Sequence, residues 1–250
     1  MSWTTGGLPP AVHLVALDAV GSTNDEAFRL GREGAPEITL VTARCQESGR
    51  GRRGRTWSSP EGNLYASFLL RPPLPLARLP ELSFVAAVAA GEACGSLLPA
   101  GRRIELKWPN DVLIEGAKLA GILTETEAAP GGGHLVAVGI GINVASAPPH
   151  AAYPVTGLSD HATVTVGMVR DRLSDRLAHW YAIWLAEGFR PVHAAWSLAA
   201  LPRGRALAVR IGQETIEGGF AGIDEAGALL LDLPAGDRRR ILAGDVMLQA

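Results

Sequence analysis

The sequence predicts an α+β protein: strands alternate with helices over residues 1–200, and a small all-β unit follows over 201–250. Three observations predict it. Short apolar or β-branched runs, bounded by Gly and Pro, recur up to residue 144. Val166–Glu187 carries Val169, Leu173, Leu177, Trp180 and Trp184 at spacings of three and four, the period of one helix face. From Gly204 onward only strand-length runs and turns remain, with the boundary near Leu201–Arg203.

Each element has its own signal. Val12–Leu17 is an apolar run and the first strand. Gly21-Ser22-Thr23-Asn24 then opens a helix reaching Leu30, and Ser22 with Asp25, or Thr23 with Glu26, forms a capping box. That helix start also presents free backbone donors to a ligand. Ile38–Cys45 and Asn63–Leu70 are the next strands, the second ending in the Pro72–Pro75 connection. Leu79–Gly95 reads as a buried helix closed by Gly95. Ile104–Ile114 holds two apolar stretches around a polar knot, Lys107 to Asp111, where Pro109 interrupts regular pairing. Ala117–Thr126 is a strand whose Lys118 faces either solvent or a functional interior. His134–Val144 is another, in which Gly139 and Gly141 mark a bulge or a close approach by a ligand or another backbone. After a Pro/Ala loop around Ala147–Pro154 come the long helix and a shorter one near Val192–Ala200. The last unit has strands at Ala206–Ile211, Thr215–Ile223, Ala228–Leu233 and Arg240–Met247, with Asp224–Gly227 as a hairpin turn.

Composition excludes several classes. Hydrophobic residues make up 47% and charged residues 19% of 250, ordinary for a chain that buries a core. A net charge of -2 removes general attraction to nucleic acid or anionic membranes, so basic function must be local. Residues 44–55 are that locality, with five arginines against one glutamate. Cys45 and Cys94 offer no disulfide framework, Cys45 reads as a packing position, and the histidines include no H-x-x-x-H pair. Met1–Pro10 lacks signal-peptide character and no apolar run reaches membrane-spanning length, so a cytoplasmic protein is expected.

The stretch that carries chemistry is Gln46–Trp57, where Gly49, Gly51 and Gly54 separate Arg50, Arg52, Arg53 and Arg55. Glycine permits unusual backbone and close approach to a ligand, successive N–H groups form an anion nest, and arginine adds forked donors. The alternatives are a solvated basic loop and an RGG-like patch for single-stranded nucleic acid.

Ser22-Thr23-Asn24, Gln46 with Gly49–Trp57, Lys107–Asp111, Lys118–Leu123, Gly139–Val144, Gly222–Asp224 and Gly244–Val246 run in an order that resembles the biotin protein ligases, also called biotin–[acetyl-CoA-carboxylase] ligases. The resemblance covers nearly the whole chain. It implies a mixed sheet backed by helices, then a small SH3-like β-barrel. The implied reaction has two steps: biotin attacks the α-phosphate of ATP to give biotinyl-5′-adenylate and pyrophosphate, and a carrier-domain lysine then takes the biotinyl group. Mg²⁺ would arrive with ATP, with no metal site of the protein's own.

Carried over residue by residue, the resemblance makes Ser22, Thr23, Asn24 and Gln46 partners of biotin. Gly49, Arg50, Gly51 and Arg52 lie over biotin and the phosphate, with Arg50 and Arg52 in direct contact and Arg53 and Arg55 for pyrophosphate or loop packing. Trp57 is a wall on the adenylate side and Asn143 an adenine contact. Lys118 neutralises the carboxylate and α-phosphate oxygens. Asn110 is a polar group of the site, and Asp111 orients or deprotonates the incoming lysine. Only 21 residues precede Ser22, too few for a three-helix DNA reader, so no operator binding is expected. Arg238-Arg239-Arg240 reads as a solvated basic turn. A partner carrier domain is expected; the relatives range from monomers to homodimers. Lipoate or octanoate transfer, and a non-catalytic biotin- or nucleic-acid-binding module, are the competing readings.

Overall fold

The computed structural model describes residues 12–148 and 153–249. The expectations for Met1–Pro10 and for the middle of the Pro/Ala loop therefore lie outside the described residues. A seven-stranded sheet is formed by β1 (His13–Val20), β2 (Thr39–Gln46), β3 (Leu64–Leu70), β4 (Ile104–Lys107), β5 (Asp111–Ile114), β6 (Ala117–Ala128) and β7 (His134–Ile142). Its order is β1-β2-β3-β7-β6-β5-β4, and it is mixed: β1 and β2 run parallel, the other neighbours antiparallel.

Side-chain alternation sorts the two faces. Leu40, Phe68 and Val136 point into the main core, while Val41, Leu69 and Ala137 point into a smaller cluster with Ala27 and Phe28. Three helices cover the first face: α2 (Leu82–Gly95), α3 (Val166–Glu187) and α4 (Phe189–Ala199). Residues all around α2 are buried, from Leu82 and Val85 to Cys94, because it is sandwiched between the sheet and α3 and α4. Trp184 is fully buried, as its place on the α3 stripe requires. Among the helices of the described residues, α1 (Thr23–Arg32) alone packs on the second face, under one half of the sheet. The other half stays open, and the site forms there.

The C-terminal unit is an antiparallel five-stranded sheet of β8 (Ala206–Ile211), β9 (Glu214–Ile223), β10 (Leu229–Asp232), β11 (Arg238–Ile241) and β12 (Asp245–Leu248), in the order β11-β10-β9-β8-β12. Two expectations are corrected here. Arg240–Met247 is not one strand: the chain bends at Leu242–Gly244, and β12 crosses to pair with β8. Arg238, Arg239 and Arg240 are not a turn either. They lie on edge strand β11, exposed and paired with Asp232, Glu214 and Asp224, so neighbouring carboxylates satisfy their charge.

This sheet is anchored to the rest of the molecule. Phe84 packs edge-on against Phe189 and Trp196, at 5.3 and 5.6 Å, and Trp196 meets Phe220 of β9 at 6.5 Å. The Trp108 indole N–H donates to Gly227 O at 2.9 Å. Gly227 itself has φ +81, and a Cβ there would lie 2.8 Å from the Phe84 ring, so glycine suits both the turn and the contact.

Candidate functional site

A cavity of about 630 Å³ opens where the N-terminus of α1, the bare half of the sheet, the Gly/Arg loop and β12 converge. That volume suits a drug-sized or nucleotide-sized ligand. Its floor is made by glycines. Gly121 of β6 and Gly141 of β7 are cross-strand partners, and Leu123 pairs with Gly139. A Cβ on Gly141 would lie 2.5 Å from Trp57 Cε2, one on Gly121 2.9 Å from Trp57 Cζ3, and one on Gly139 2.5 Å from Asn24 Oδ1. The glycines thus let the indole of Trp57 lie against the sheet and let Asn24 reach in. Trp57 Nε1 is buried there without a hydrogen-bond partner among the described residues, an orphan donor.

At the polar end, the expected capping box is absent. Ser22 is the N-cap of α1, but its side chain makes no capping bond. Gln46 caps the helix instead: its Oε1 accepts from Thr23 N at 2.9 Å and Thr23 Oγ1 at 3.1 Å, and its Nε2 donates to Ser59 Oγ at 3.0 Å. Asn24 Nδ2 donates to Glu125 at 2.7 Å and Leu123 O at 3.3 Å. Ser67, which sequence reasoning did not assign, lies 2.6 Å from Asn24 Oδ1 and 2.7 Å from Thr23 Oγ1. An amide oxygen only accepts, so the Ser67 proton points to Asn24, and the single Thr23 hydroxyl proton is shared between Gln46 Oε1 and Ser67 Oγ. Thr23, Asn24 and Gln46 are therefore rigidly placed, and Ser22 lines the cavity with its hydroxyl uncommitted to the helix.

The Gly/Arg loop folds as a narrow hairpin. Arg50 bridges Thr56, Gly51 N donates to Arg55 O at 2.6 Å and Trp57 N to Gly49 O at 2.9 Å, with a single 3-10 turn at Arg52–Gly54. Arg53, at φ 56, and Gly54, at φ 71, turn the tip. Its arginines separate by partner. Arg50 makes a two-point ion pair with Asp25, at 2.7 and 2.6 Å, and lies 3.4 Å from Glu125; these contacts push its guanidinium up. Arg53 and Arg55 both reach Asp245 of β12. Arg52 makes no ion pair among the described residues, lines the cavity, and is pulled below the ordinary arginine value by burial, with Asp245 opposing.

Facing the loop, Asp111 sits between two lysines. Its Oδ1 is 2.6 Å from Lys118 Nζ and its Oδ2 2.8 Å from Lys107 Nζ, and all three side chains are 14% exposed or less. Burial pushes the Asp111 carboxyl up, but the Lys118 and Lys107 ammonium groups outweigh it and hold the acid below the usual carboxylate range. A carboxylate shared by two cations is a weak base, so these contacts favour the orienting role expected of Asp111 over the deprotonating one. Lys118 faces the interior, its Nζ 5.4 Å from the Trp57 ring centroid and 5.5 Å from that of Tyr153, within cation–π range. Asn110 Nδ2 donates to Ile122 O at 2.7 Å, which fixes the knot to β6.

Of the expected residues, Ser22, Thr23, Asn24, Gln46, Arg50, Gly51, Arg52, Arg55, Trp57, Asn110, Asp111 and Lys118 line this one cavity. Two do not. Gly49 packs beneath the hairpin, where a Cβ would lie 2.5 Å from Trp57 O and 2.6 Å from Ser59 Oγ. Asn143 is buried behind the site, donating to Thr156 O at 3.2 Å, and so supports the 154–156 segment beside Lys118. Lys107, Tyr153, Arg210 and Asp245 line the cavity without having been assigned from sequence. For Lys107 and Asp245 a signal existed, since both sit in stretches that carry the resemblance.

Comparison with known proteins agrees. Residues 18–143 match the biotin/lipoate A/B protein ligase family and residues 204–248 the biotin protein ligase C terminal domain. The chain is 42% identical over 238 residues to the biotin–[acetyl-CoA-carboxylase] ligase of Paracoccus denitrificans, covering 92% of this chain and 98% of that one. It is 36% identical to the bifunctional ligase/repressor BirA of Bacillus subtilis (strain 168), over 94% of this chain and 74% of the relative. The biotin protein ligase from Aquifex aeolicus in complex with biotin and ATP matches at a TM-score of 0.79 and 29% identity, covering 95% of this chain and 98% of that one. With its glycine floor, Gly/Arg loop and lysine–aspartate–lysine array joined in one cavity, the chain belongs to the biotin protein ligase family.

Proposed function

We propose that this ligase joins biotin to ATP as biotinyl-5′-adenylate, releasing pyrophosphate, and then transfers the biotinyl group to a lysine of a biotin carboxyl carrier domain, releasing AMP. The observation that carries the reading is the pair of cationic walls across one cavity, Arg52 on the loop and Lys118 with Lys107 opposite. Both reactants of the first step are anions, and further charge builds on the α-phosphate as the carboxylate oxygen attacks. Preorganised cations in a closed site lower the cost of both.

In this reading Ser22, Thr23 and Asn24 hold the polar head of biotin, and Gln46 sets their geometry as the cap of α1. Trp57 walls the adenylate. Arg52 and Lys118 take the reacting carboxylate and phosphate oxygens, while Arg55 lies toward the leaving pyrophosphate. Asp111 holds both lysines in place. Arg50 closes the loop against α1. Mg²⁺ comes as part of the ATP substrate. The hairpin shields the mixed anhydride from water until the amine arrives. We place the reaction in the cytoplasm, with ATP and the apo carrier; two free thiols are in keeping with that compartment.

The test is to incubate the protein with biotin, ATP and Mg²⁺, following pyrophosphate release and labelling of an apo carrier domain. Lys118→Ala is expected to lose the first half-reaction. Turnover with lipoate or octanoate but none with biotin would overturn the proposal.

A further inference from the structure

Strand β12 brings an acid to a site that takes anions. Asp245 Oδ1 lies 2.6 Å from Arg55 Nη2, and its Oδ2 lies 3.1 Å from Arg53 Nη1 and 3.5 Å from Arg210 Nη2. Its side chain is only 10% exposed, whereas those of Arg53, Arg55 and Arg210 are 41, 56 and 56% exposed. The next residue continues the contact, as Val246 O accepts from Lys107 Nζ at 2.9 Å. A carboxylate on the wall of a cavity for a polyphosphate repels that substrate, and neither half-reaction uses a carboxylate at this place. Its contacts offer an account. Asp245 gathers guanidinium groups from two segments far apart in sequence, the loop tip and β8, onto one small anion.

We infer that Asp245 is an internal placeholder for the pyrophosphate end of ATP: a positioning residue that holds Arg55 and Arg210 at the cavity, with Arg53 beside them, and yields them to the phosphates when the nucleotide enters. The inference rests on the ATP-dependent reading above. Without a shared anion, three guanidinium groups repel one another and the hairpin tip loses its tie to the C-terminal sheet. With one, the loop is ordered in advance, so less conformational freedom is lost on binding. The exchange runs toward the nucleotide, because a polyphosphate offers more charge and more acceptor oxygens than one carboxylate, and forked arginine donors suit both. On this view the C-terminal sheet completes the site, presetting the loop through Asp245 and Lys107 through Val246.

Titration with inorganic pyrophosphate and limited trypsin digestion at Arg53 and Arg55 test it, on the full chain with no other substrate. Asp245→Asn is expected to bind pyrophosphate about tenfold more tightly, since a competing charge is gone. Its loop should nevertheless be cut faster than the parent's, and added pyrophosphate should restore protection. Asp245→Glu should behave as the parent in both. Faster cutting with weaker pyrophosphate binding would mean a merely structural residue, and tighter binding with unchanged cutting a repulsive bystander; either overturns the inference. Should Asp245→Asn fail to fold by near-UV circular dichroism, the R53Q/R55Q variant serves. It should lose at least tenfold in pyrophosphate affinity, and unchanged affinity overturns the inference. Adenylate formation by the parent tests the underlying reading separately, so a ligase that makes adenylate but shows none of these shifts refutes the placeholder alone.

Discussion

Replacing Asp111 by Asn should cost this protein about 3 kcal/mol of stability together with its first half-reaction. The substitution keeps the volume and removes one charge from a cluster of three. Contacts of 2.6 and 2.8 Å to Lys118 and Lys107 correspond to a gross attraction of about 6 kcal/mol each at an effective dielectric of about 20. Desolvation of the carboxylate offsets much of that, and deleting one partner of a buried ion pair costs about 3–5 kcal/mol in practice. Asn keeps one acceptor for one lysine and turns its amide N–H₂ toward the other, which places the loss at the lower end. Solvent screening does not dilute it, because the three groups are 10–14% exposed. The folded-state carboxyl lies below its ordinary value, so its stabilisation is fully present above pH about 4 and is lost as pH falls through the depressed folded value. The gap between parent and variant should thus stay flat from pH 8 to pH 5 and close only in stronger acid. Urea unfolding at several pH values, with an unchanged m, measures this. Adding Lys107→Met to Asp111→Asn should recover about 1–2 kcal/mol by removing one stranded cation. A loss below 1 kcal/mol, a gap that closes between pH 7 and 5, or no recovery in the double variant would refute the reasoning.

Other substitutions probe the remaining walls. Arg52→Gly should release the adenylate at least tenfold faster while still making it, measured by rapid dilution of the preformed complex; an unchanged release rate removes Arg52 from that role. Gly141→Ala places a methyl 2.5 Å from Trp57, so the indole must lift off the floor. We expect about 1–3 kcal/mol of overpacking cost, moderated by the loop's freedom to shift, and at least a tenfold rise in KM for biotin with altered tryptophan fluorescence; a parental KM would mean the floor is not where substrate lies. Ser67→Ala should loosen Thr23 and Asn24, raising KM for biotin several-fold at near-parental kcat, and a change confined to kcat would contradict a positioning role.

Local patterns made the fold legible. Helix period predicted α3 with the boundaries it has, Val166–Glu187, and a strand-length run between turns predicted β8 as Ala206–Ile211. The site was legible wherever its residues sit in contiguous runs: the loop, the Lys107–Asp111 knot, Lys118 and the Ser22–Asn24 turn all reach one cavity. Partnership across the chain was not. Ser22 with Asp25 fits the spacing of a capping box, but the acceptor for Thr23 N comes from Gln46, on the adjacent strand. Ser67 looks like any small strand residue until β3 is set beside α1. Asp245 is 190 positions from Arg55, and no period or turn signal spans that distance. Arg238–Arg240 read as a solvated basic turn until β11 is seen to pair with β10 and to set them against Asp224, Asp232 and Glu214.

The same logic separates arginines that composition cannot. Arg50, Arg52, Arg53 and Arg55 have identical side chains on a few residues of loop, and an isolated guanidinium anywhere among them suits a phosphate. What distinguishes them is the carboxylate each already holds. Asp25 and Glu125 commit Arg50 to the α1 side, and Asp245 commits Arg53 and Arg55 to the C-terminal sheet. The hairpin is thereby fastened at both shoulders, and Arg52 is left between them, half-buried and unpaired among the described residues. A buried cation without a counter-ion is costly, and a bound anion removes that cost. The acids around the loop therefore select which arginine receives the reacting anion, so moving Asp25 or Asp245 should reassign that role without any change to the loop's own sequence.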